Sequence, residues 1–128
     1  MKDIYVNLYS AGGVEDYYIP VPCRGVVKAF SVMANATMVA TGTIILSRST
    51  TAVNTATAPT GDTAAGTVLE GVPDTTNKDL VFDPDSSTAA NTKIKVAFDT
   101  TILGGAANVL LYIQYDDSAA VAQAAKEA

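Results

Sequence analysis

The chain contains 128 residues, of which 48% are apolar and 16% charged, with a net charge of −5, no His, no Trp and one Cys. The missing imidazole removes the commonest general base and metal ligand, and a single thiol excludes an intramolecular disulfide and a multi-thiolate zinc site. Eight basic residues spread along an acidic chain do not form the footprint of a nucleic-acid binder.

Alternation of apolar and polar residues predicts strands at the start of the chain. In residues 2–9 the alternation defines two faces, one with Ile4, Val6 and Leu8 and the other with Tyr5, Asn7 and Tyr9. Residues 15–22 form an extended stretch whose two prolines, Pro20 and Pro22, lack a backbone donor. We therefore expect that stretch at a sheet edge or corner.

Two longer strands are predicted next. Residues 25–34 have Val26, Phe30 and Val32 on one face, but Lys28 shares that face, so the register is ambiguous. Residues 37–48 are rich in β-branched side chains, and the glycine inside them, at position 42, predicts a bulge or a bend between sheets.

The middle of the chain is predicted to be a loop followed by short strands. Residues 49–66 are a Thr/Ala-rich loop, long enough either to be loose or to become ordered on contact with a partner. Residues 67–70 and 79–82 are predicted strands, because turn signals separate and follow them.

Two strands with clear alternation complete the predicted domain. Residues 92–98 turn Ile94, Val96 and Phe98 inward. Residues 107–115 place Val109, Leu111, Ile113 and Tyr115 on one face. The second face of that strand, with Leu110, Tyr112 and Gln114, is also partly apolar, so we expect it to meet another surface.

The pattern predicts an all-β fold: an antiparallel sandwich of about eight strands, similar to a jelly roll of two Greek keys. A seven-stranded immunoglobulin-like sandwich is the nearest alternative, but its Cys…Trp…Cys signature is missing. We assign residues 1–116 to a single β-sandwich domain. Residues 117–128 form an Ala-rich C-terminal tail that could fold as a short helix.

Three groups of residues could carry chemistry. Asp83, Asp85 and Ser86, with Asp74, Asn77 and Asp79 nearby, offer oxygen ligands for Ca²⁺, although turn chemistry explains them better. The Asp116–Asp117 pair could act in acid–base catalysis or cap a helical tail, and capping is favoured. Cys23 lacks an activating base and is expected to be a small buried apolar residue. No catalytic residue, cofactor or metal site is predicted.

The tyrosines are the strongest candidates for binding. Four of the six fall within the first eighteen residues, at Tyr5, Tyr9, Tyr17 and Tyr18. Tyrosine is enriched at protein interfaces because it buries apolar area and keeps a polar tip hydrated. We predict that these four residues contribute to a protein interface; the alternative is that they cover one edge of the sandwich within a monomer.

Stretches such as VVKAFSVMANATMVATGTIILSRST and NVLLYIQYD, embedded in Ala/Thr/Gly-rich loops, resemble bacteriophage capsid decoration proteins, also called cement or head-stabilising proteins. The resemblance implies a jelly-roll or related sandwich, commonly a homotrimer, that binds the major capsid protein on the outside of the virion. It implies no site residues. The N-terminus has no apolar signal segment, so synthesis in the host cytoplasm is expected.

The main alternative is a carbohydrate-binding module or a tail or fibre adhesin, in which Tyr17, Tyr18 and Tyr112 would replace the missing tryptophans. An enzyme on a cupin-like barrel is disfavoured because such sites need several His ligands. No run reaches the about 18 consecutive apolar residues of a membrane helix, so no membrane partner is predicted.

Overall fold

A computed structural model describes residues 1–39, 42–55, 57, 62–99, 102–103 and 105–118. Two four-stranded antiparallel sheets pack face to face as a sandwich, which confirms the predicted all-β class. Within the described residues the one helical element is a short 3-10 turn, Ala89–Thr92, and no helix has the length and apolarity needed to cross a bilayer.

Ten strands are numbered in chain order. The front sheet has the order β1 (Lys2–Ser10), β10 (Ala107–Asp116), β3 (Val26–Ala34) and β7 (Val68–Glu70). The back sheet has the order β2 (Glu15–Pro20), β9 (Lys93–Asp99), β4 (Thr43–Arg48) and β5 (Thr51–Ala52). Two further short strands, β6 (Asn54–Thr55) and β8 (Val72–Pro73), pair with each other.

The pairing of the eight sheet-forming strands is that of a jelly roll. Strand β1 pairs with β10, β2 with β9, β3 with β7 and β4 with β5, so the chain resembles one long hairpin doubled back on itself. Rolling that hairpin brings β10 beside β3 and β9 beside β4. The predicted jelly-roll-like sandwich of about eight strands is therefore confirmed.

The core lies between the two sheets and is formed by the inward faces that the alternation predicted. Fully buried side chains of the front sheet include Val32, Leu111, Ile113 and Tyr115. They pack against Ile44, Leu46, Ile94, Val96 and Phe98 of the back sheet. The prediction that β2 is an edge strand is also confirmed, because β9 is its one neighbour in the back sheet.

The ambiguous register around Lys28 is explained by a β-bulge. Gln114 lies opposite Ala29, but the next residue of β10, Tyr115, lies opposite Val27, so Lys28 is the extra residue of β3. The bulge lets Val27 and Phe30 both point inward while Lys28 and Ala29 face solvent. Because the bulge shifts the alternation by one residue, no single set of alternate residues forms the buried side of β3.

Three sequence predictions need correction or fall outside the described residues. Residues 79–82 are not a strand, since Leu80 and Phe82 form only isolated bridges, that of Phe82 with Gly25. Regular pairing in the predicted strand 37–48 begins at Thr43. The predicted loop 49–66 contains β5 and β6, and its residues 56 and 58–61 lie outside the described residues, as does nearly all of the predicted tail helix, at 119–128.

The turn between β4 and β5 has a strained residue. Arg48 pairs with Thr51, so Ser49 and Thr50 form a two-residue hairpin turn, and Ser49 has a φ of 58°. Such turns need a positive φ that glycine adopts freely and other residues adopt at a cost of about 1–2 kcal/mol.

We predict that Ser49→Gly raises the free energy of unfolding by about 0.5–1 kcal/mol, because the relieved strain exceeds the extra entropy of the unfolded glycine. Urea denaturation measures the change. Ser49→Ala keeps the strain and is the matched control. Equal stability of the two variants would contradict the explanation.

Candidate protein-docking face

The outward surface of the front sheet includes two adjacent cross-strand rows with little charge, next to a row formed by Asp3, Gln114 and Ala29. One row runs Tyr5, Tyr112, Ser31, Glu70, and the next runs Asn7, Leu110, Met33, Val68. Glu70, at the end of the first row, is the one charged residue among these eight. We call the outward-facing residues of these rows, together with Tyr9, the front face.

The front face holds most of the large exposed apolar side chains in the described part of the chain. Nine such side chains are exposed, and five of them belong to this face: Tyr5, Tyr9, Met33, Val68 and Leu110. The other four, Met1, Val14, Tyr18 and Val72, lie elsewhere. Scattered apolar residues are normal on a protein surface, but a contiguous group on one sheet marks an interaction site.

A pair of stacked tyrosines is held in place on the front face. The Tyr5 and Tyr112 rings are 5.0 Å apart at 29°, and the Tyr112 hydroxyl donates a hydrogen bond of 2.7 Å to Asp3 Oδ1. This hydrogen bond, more than any other influence, raises the pKa of Tyr112. Stacking and the hydrogen bond restrict both rings, so less side-chain entropy is lost when a partner covers them.

The four predicted interface tyrosines do not lie together. Tyr5 and Tyr9 belong to the front face and expose 67% and 63% of their surface. Tyr18 is exposed on the outer side of the back sheet, where Lys93 Nζ lies 5.3 Å from its ring centre. The structure thus brings together two of the four residues.

Tyr17 joins the two sheets instead of facing a partner. Its ring packs edge-on against Phe98 at 5.2 Å, and its hydroxyl lies 2.8 Å from both the Tyr9 carbonyl oxygen and Glu15 Oε2. Burial, followed by the hydrogen bond to Glu15, raises the pKa of Tyr17. The three tyrosines expected to form a glycan platform, at positions 17, 18 and 112, consequently point in three different directions.

Three residues of the front face, Met33, Val68 and Leu110, were not among the predicted interface residues. The partly apolar second face of β10 already indicated a contact surface for Leu110 and Tyr112. Met33 and Val68 join that surface because β3 and β7 pair beside β10. That neighbourhood depends on strand order, which local alternation does not reveal.

The outer side of the back sheet differs in chemistry from the front face. Asp16, Lys93 and Lys95 lie on it, and Lys95 Nζ is 3.8 Å from Asp16 Oδ2. A shallow groove there is lined by Tyr18, Ser49, Thr50, Ala90, Lys93 and Lys95. Charged and flexible side chains make this side a weaker candidate for tight protein contact than the front face.

Several of the candidate calcium ligands accept turn hydrogen bonds. Asp83 accepts from the Asp85 backbone N–H and from Arg24, each at 2.9 Å. Asp74 caps the backbone N–H groups of Thr76 and Asn77. Across the described residues no group of three or more His, Cys, Asp or Glu is placed to hold a metal ion. These contacts support the interpretation as turn chemistry.

The remaining chemical candidates also have structural contacts. Cys23 is half-buried, and burial is the main cause that raises the pKa of its thiol, which disfavours the nucleophilic thiolate. Asp116 accepts from the Ser118 backbone N–H at 3.0 Å, and Asp117 lies 2.8 Å from the Met1 amino group and 3.8 Å from Lys2 Nζ.

Comparison of the chain with protein-family models, with curated proteins and with solved structures gave no match.

Proposed function

We propose that the protein is a structural, non-catalytic component of a phage virion that binds the outer surface of the capsid and stabilises the contacts between capsomers. The observation that carries this proposal is the front face, an exposed apolar sheet surface with one charged residue among the eight of its two rows. Jelly rolls occur in viral capsid and lectin domains, and this analogy of fold supports the proposal.

The front face suits a broad protein partner better than a small molecule. Its second row borders an open groove lined by Asn7, Met33, Asn35, Asn108 and Leu110, in which a small ligand would stay largely exposed to solvent. Aromatic side chains at the centre of an interface contribute most of the binding energy, and Tyr5 and Tyr112 are already stacked. The partner in this proposal is the major capsid protein.

Binding of this kind stabilises a capsid by mass action. A protein that binds the assembled lattice and not the free subunits adds about 2.7 kcal/mol per site when its concentration is 100 times the dissociation constant. A contact that spans two capsomers links them, and many copies on one particle act together. No chemistry is needed for the effect.

We predict that Leu110→Asp and Val68→Asp each weaken binding to capsids about tenfold or more, because each buries a carboxylate in an apolar contact. The measurement is co-sedimentation with expanded capsids that lack the protein. Val72→Asp is the matched control, since Val72 exposes 58% of its surface and Val68 exposes 56%, but Val72 lies off the front face.

The same capsids test the stabilising role. Wild-type protein should raise the temperature at which capsids rupture, Val72→Asp should do the same, and the two front-face variants should not. Equal rupture temperatures with and without wild-type protein would contradict the proposed function. Equal binding by all variants would show that another surface makes the contact.

A further inference from the structure

Strand β1 lies at an edge of the front sheet. The pairing shows which of its backbone N–H and carbonyl groups point towards β10 and which point away from it. The Asn35 N–H donates to the Asn108 carbonyl, so the backbone groups of Asn108 point from β10 towards β3. Since Tyr9 is opposite Asn108, Tyr9 is not hydrogen-bonded to β10. The Tyr17 hydroxyl beside the Tyr9 carbonyl agrees, because it approaches from the free side.

Backbone groups alternate along a strand, so the remaining odd-numbered residues of β1 also face away from β10. Among the described residues β1 has β10 as its one partner strand, and no backbone hydrogen bond joins Asp3, Tyr5 or Asn7 to another segment. The result is an edge of three residues whose N–H and carbonyl groups have no backbone hydrogen-bond partner in the described part of the chain.

Free edges are normally protected against pairing, and the two long edge strands differ in this respect. In β2 the last residue is Pro20, and Pro22 follows shortly after, which blocks strand addition there. Strand β1 has nine residues, no proline and no bulge in its pairing with β10. Its first half borders an open groove lined by Lys2, Asp3, Ile4, Tyr5, Pro20, Val21 and Pro22.

The inward side chains of β1 are incompletely covered along the same half. Leu8 is buried, whereas Ile4 and Val6 are only half-buried although they pack against the core. One more strand beside β1 would cover both residues and would supply the missing backbone partners. The edge therefore offers hydrogen bonds and apolar burial together.

We propose that the occupant of this edge is β1 of a second copy of the chain, paired antiparallel about a two-fold axis at Tyr5. In that register Tyr5 lies opposite Tyr5, Ile4 opposite Val6, and Asp3 opposite Asn7. On the inner side Ile4 meets Val6 and Lys2 lies opposite Leu8. On the outer side an acid meets an amide, and no like charges are opposed. The three free residues of each copy would hydrogen-bond as closely spaced pairs.

The resulting dimer has a continuous eight-stranded front sheet, and the two front faces lie side by side on it. A two-fold pairing is closed and isologous, so it gives dimers and not the trimer that the resemblance implied. The inference rests on β1 alone and does not depend on capsid binding. Its test accordingly uses the purified chain without capsids.

The register predicts opposite effects for two substitutions at one site. Asn7→Asp places carboxylates opposite each other at positions 3 and 7, twice per dimer, and should raise the dimer dissociation constant about three- to tenfold. Asn7→Lys places an ammonium opposite Asp3 and should lower the constant by a similar factor. The double variant Asp3→Asn/Asn7→Asp restores an acid opposite an amide and should return the constant towards wild type.

Analytical ultracentrifugation at about 0.15 M salt, where charges beyond about 8 Å are screened, measures these constants. Asn108→Asp and Asn108→Lys are matched controls, because Asn108 is exposed on the same sheet but lies in the central strand β10. A wild-type monomer or trimer, or a dimer whose constant changes no more at position 7 than at position 108, would overturn the inference.

Discussion

Replacing Gly42 by Ala is expected to lower the free energy of unfolding by about 3 kcal/mol, because the new methyl group has no space. A Cβ atom at this position would overlap Ile102 Cα and would lie 2.7 Å from the Ile102 nitrogen. These are backbone atoms, and the Ile102 carbonyl is itself held by the Val39 N–H at 2.7 Å. Relief would require the two segments to separate, which would open the core at Met38 and Leu103.

Gly13→Ala is the matched control for Gly42→Ala. Nothing lies within 4 Å of a Cβ atom built on Gly13, and its φ is not in the left-handed region. Its free energy of unfolding should stay within about 0.5 kcal/mol of wild type. Urea denaturation of both variants measures the difference. A Gly42→Ala protein as stable as Gly13→Ala would mean that the two backbones are not in close contact.

Gly42 also illustrates what local sequence reveals. A glycine inside a β-branched run predicted an irregularity, and the structure places regular pairing directly after it. The cause is the approach of Ile102, sixty residues later in the chain, which no local pattern contains. The position of the irregularity was predictable, but the reason for it was not.

Alternation alone predicted the buried residues correctly wherever a strand had one buried and one exposed side. The inward residues Ile94, Val96 and Phe98 of β9 were predicted correctly, as were those of β10. The same reasoning failed at Lys28, because the bulge there arises from the pairing of β3 with β10. It also failed at residues 79–82, because apolar side chains can fill a core without belonging to a hydrogen-bonded strand.

The front face was predictable in part. Tyr5 and Tyr9 follow from alternation in β1, and the apolar second face of β10 indicated Leu110 and Tyr112. The separation of Tyr17 and Tyr18 from that surface follows from the order of strands, since β2 belongs to the other sheet. In this jelly roll the first four strands alternate between the two sheets, so nearness in sequence is a poor guide to a shared surface.

Truncation of Phe82 to Ala is expected to lower the free energy of unfolding by about 3–5 kcal/mol, the largest effect we predict for a single side chain. Phe82 is fully buried although it belongs to no strand. Its backbone exchanges hydrogen bonds of 2.8 and 3.0 Å with Gly25, and its carbonyl lies 3.3 Å from the Tyr115 hydroxyl. The buried ring and these backbone hydrogen bonds together attach a long connection, 74–92, to the start of β3.

Phe82→Leu separates the size of the side chain from its apolar character. Leucine keeps most of the buried apolar area, so its loss should be smaller, below about 2 kcal/mol. Hydrogen exchange of the Phe82 and Gly25 amides should quicken in Phe82→Ala before that of β10, because local opening of the connection precedes global unfolding. Equal destabilisation by Leu and Ala, or uniform exchange across the chain, would show that the connection is not anchored by this ring.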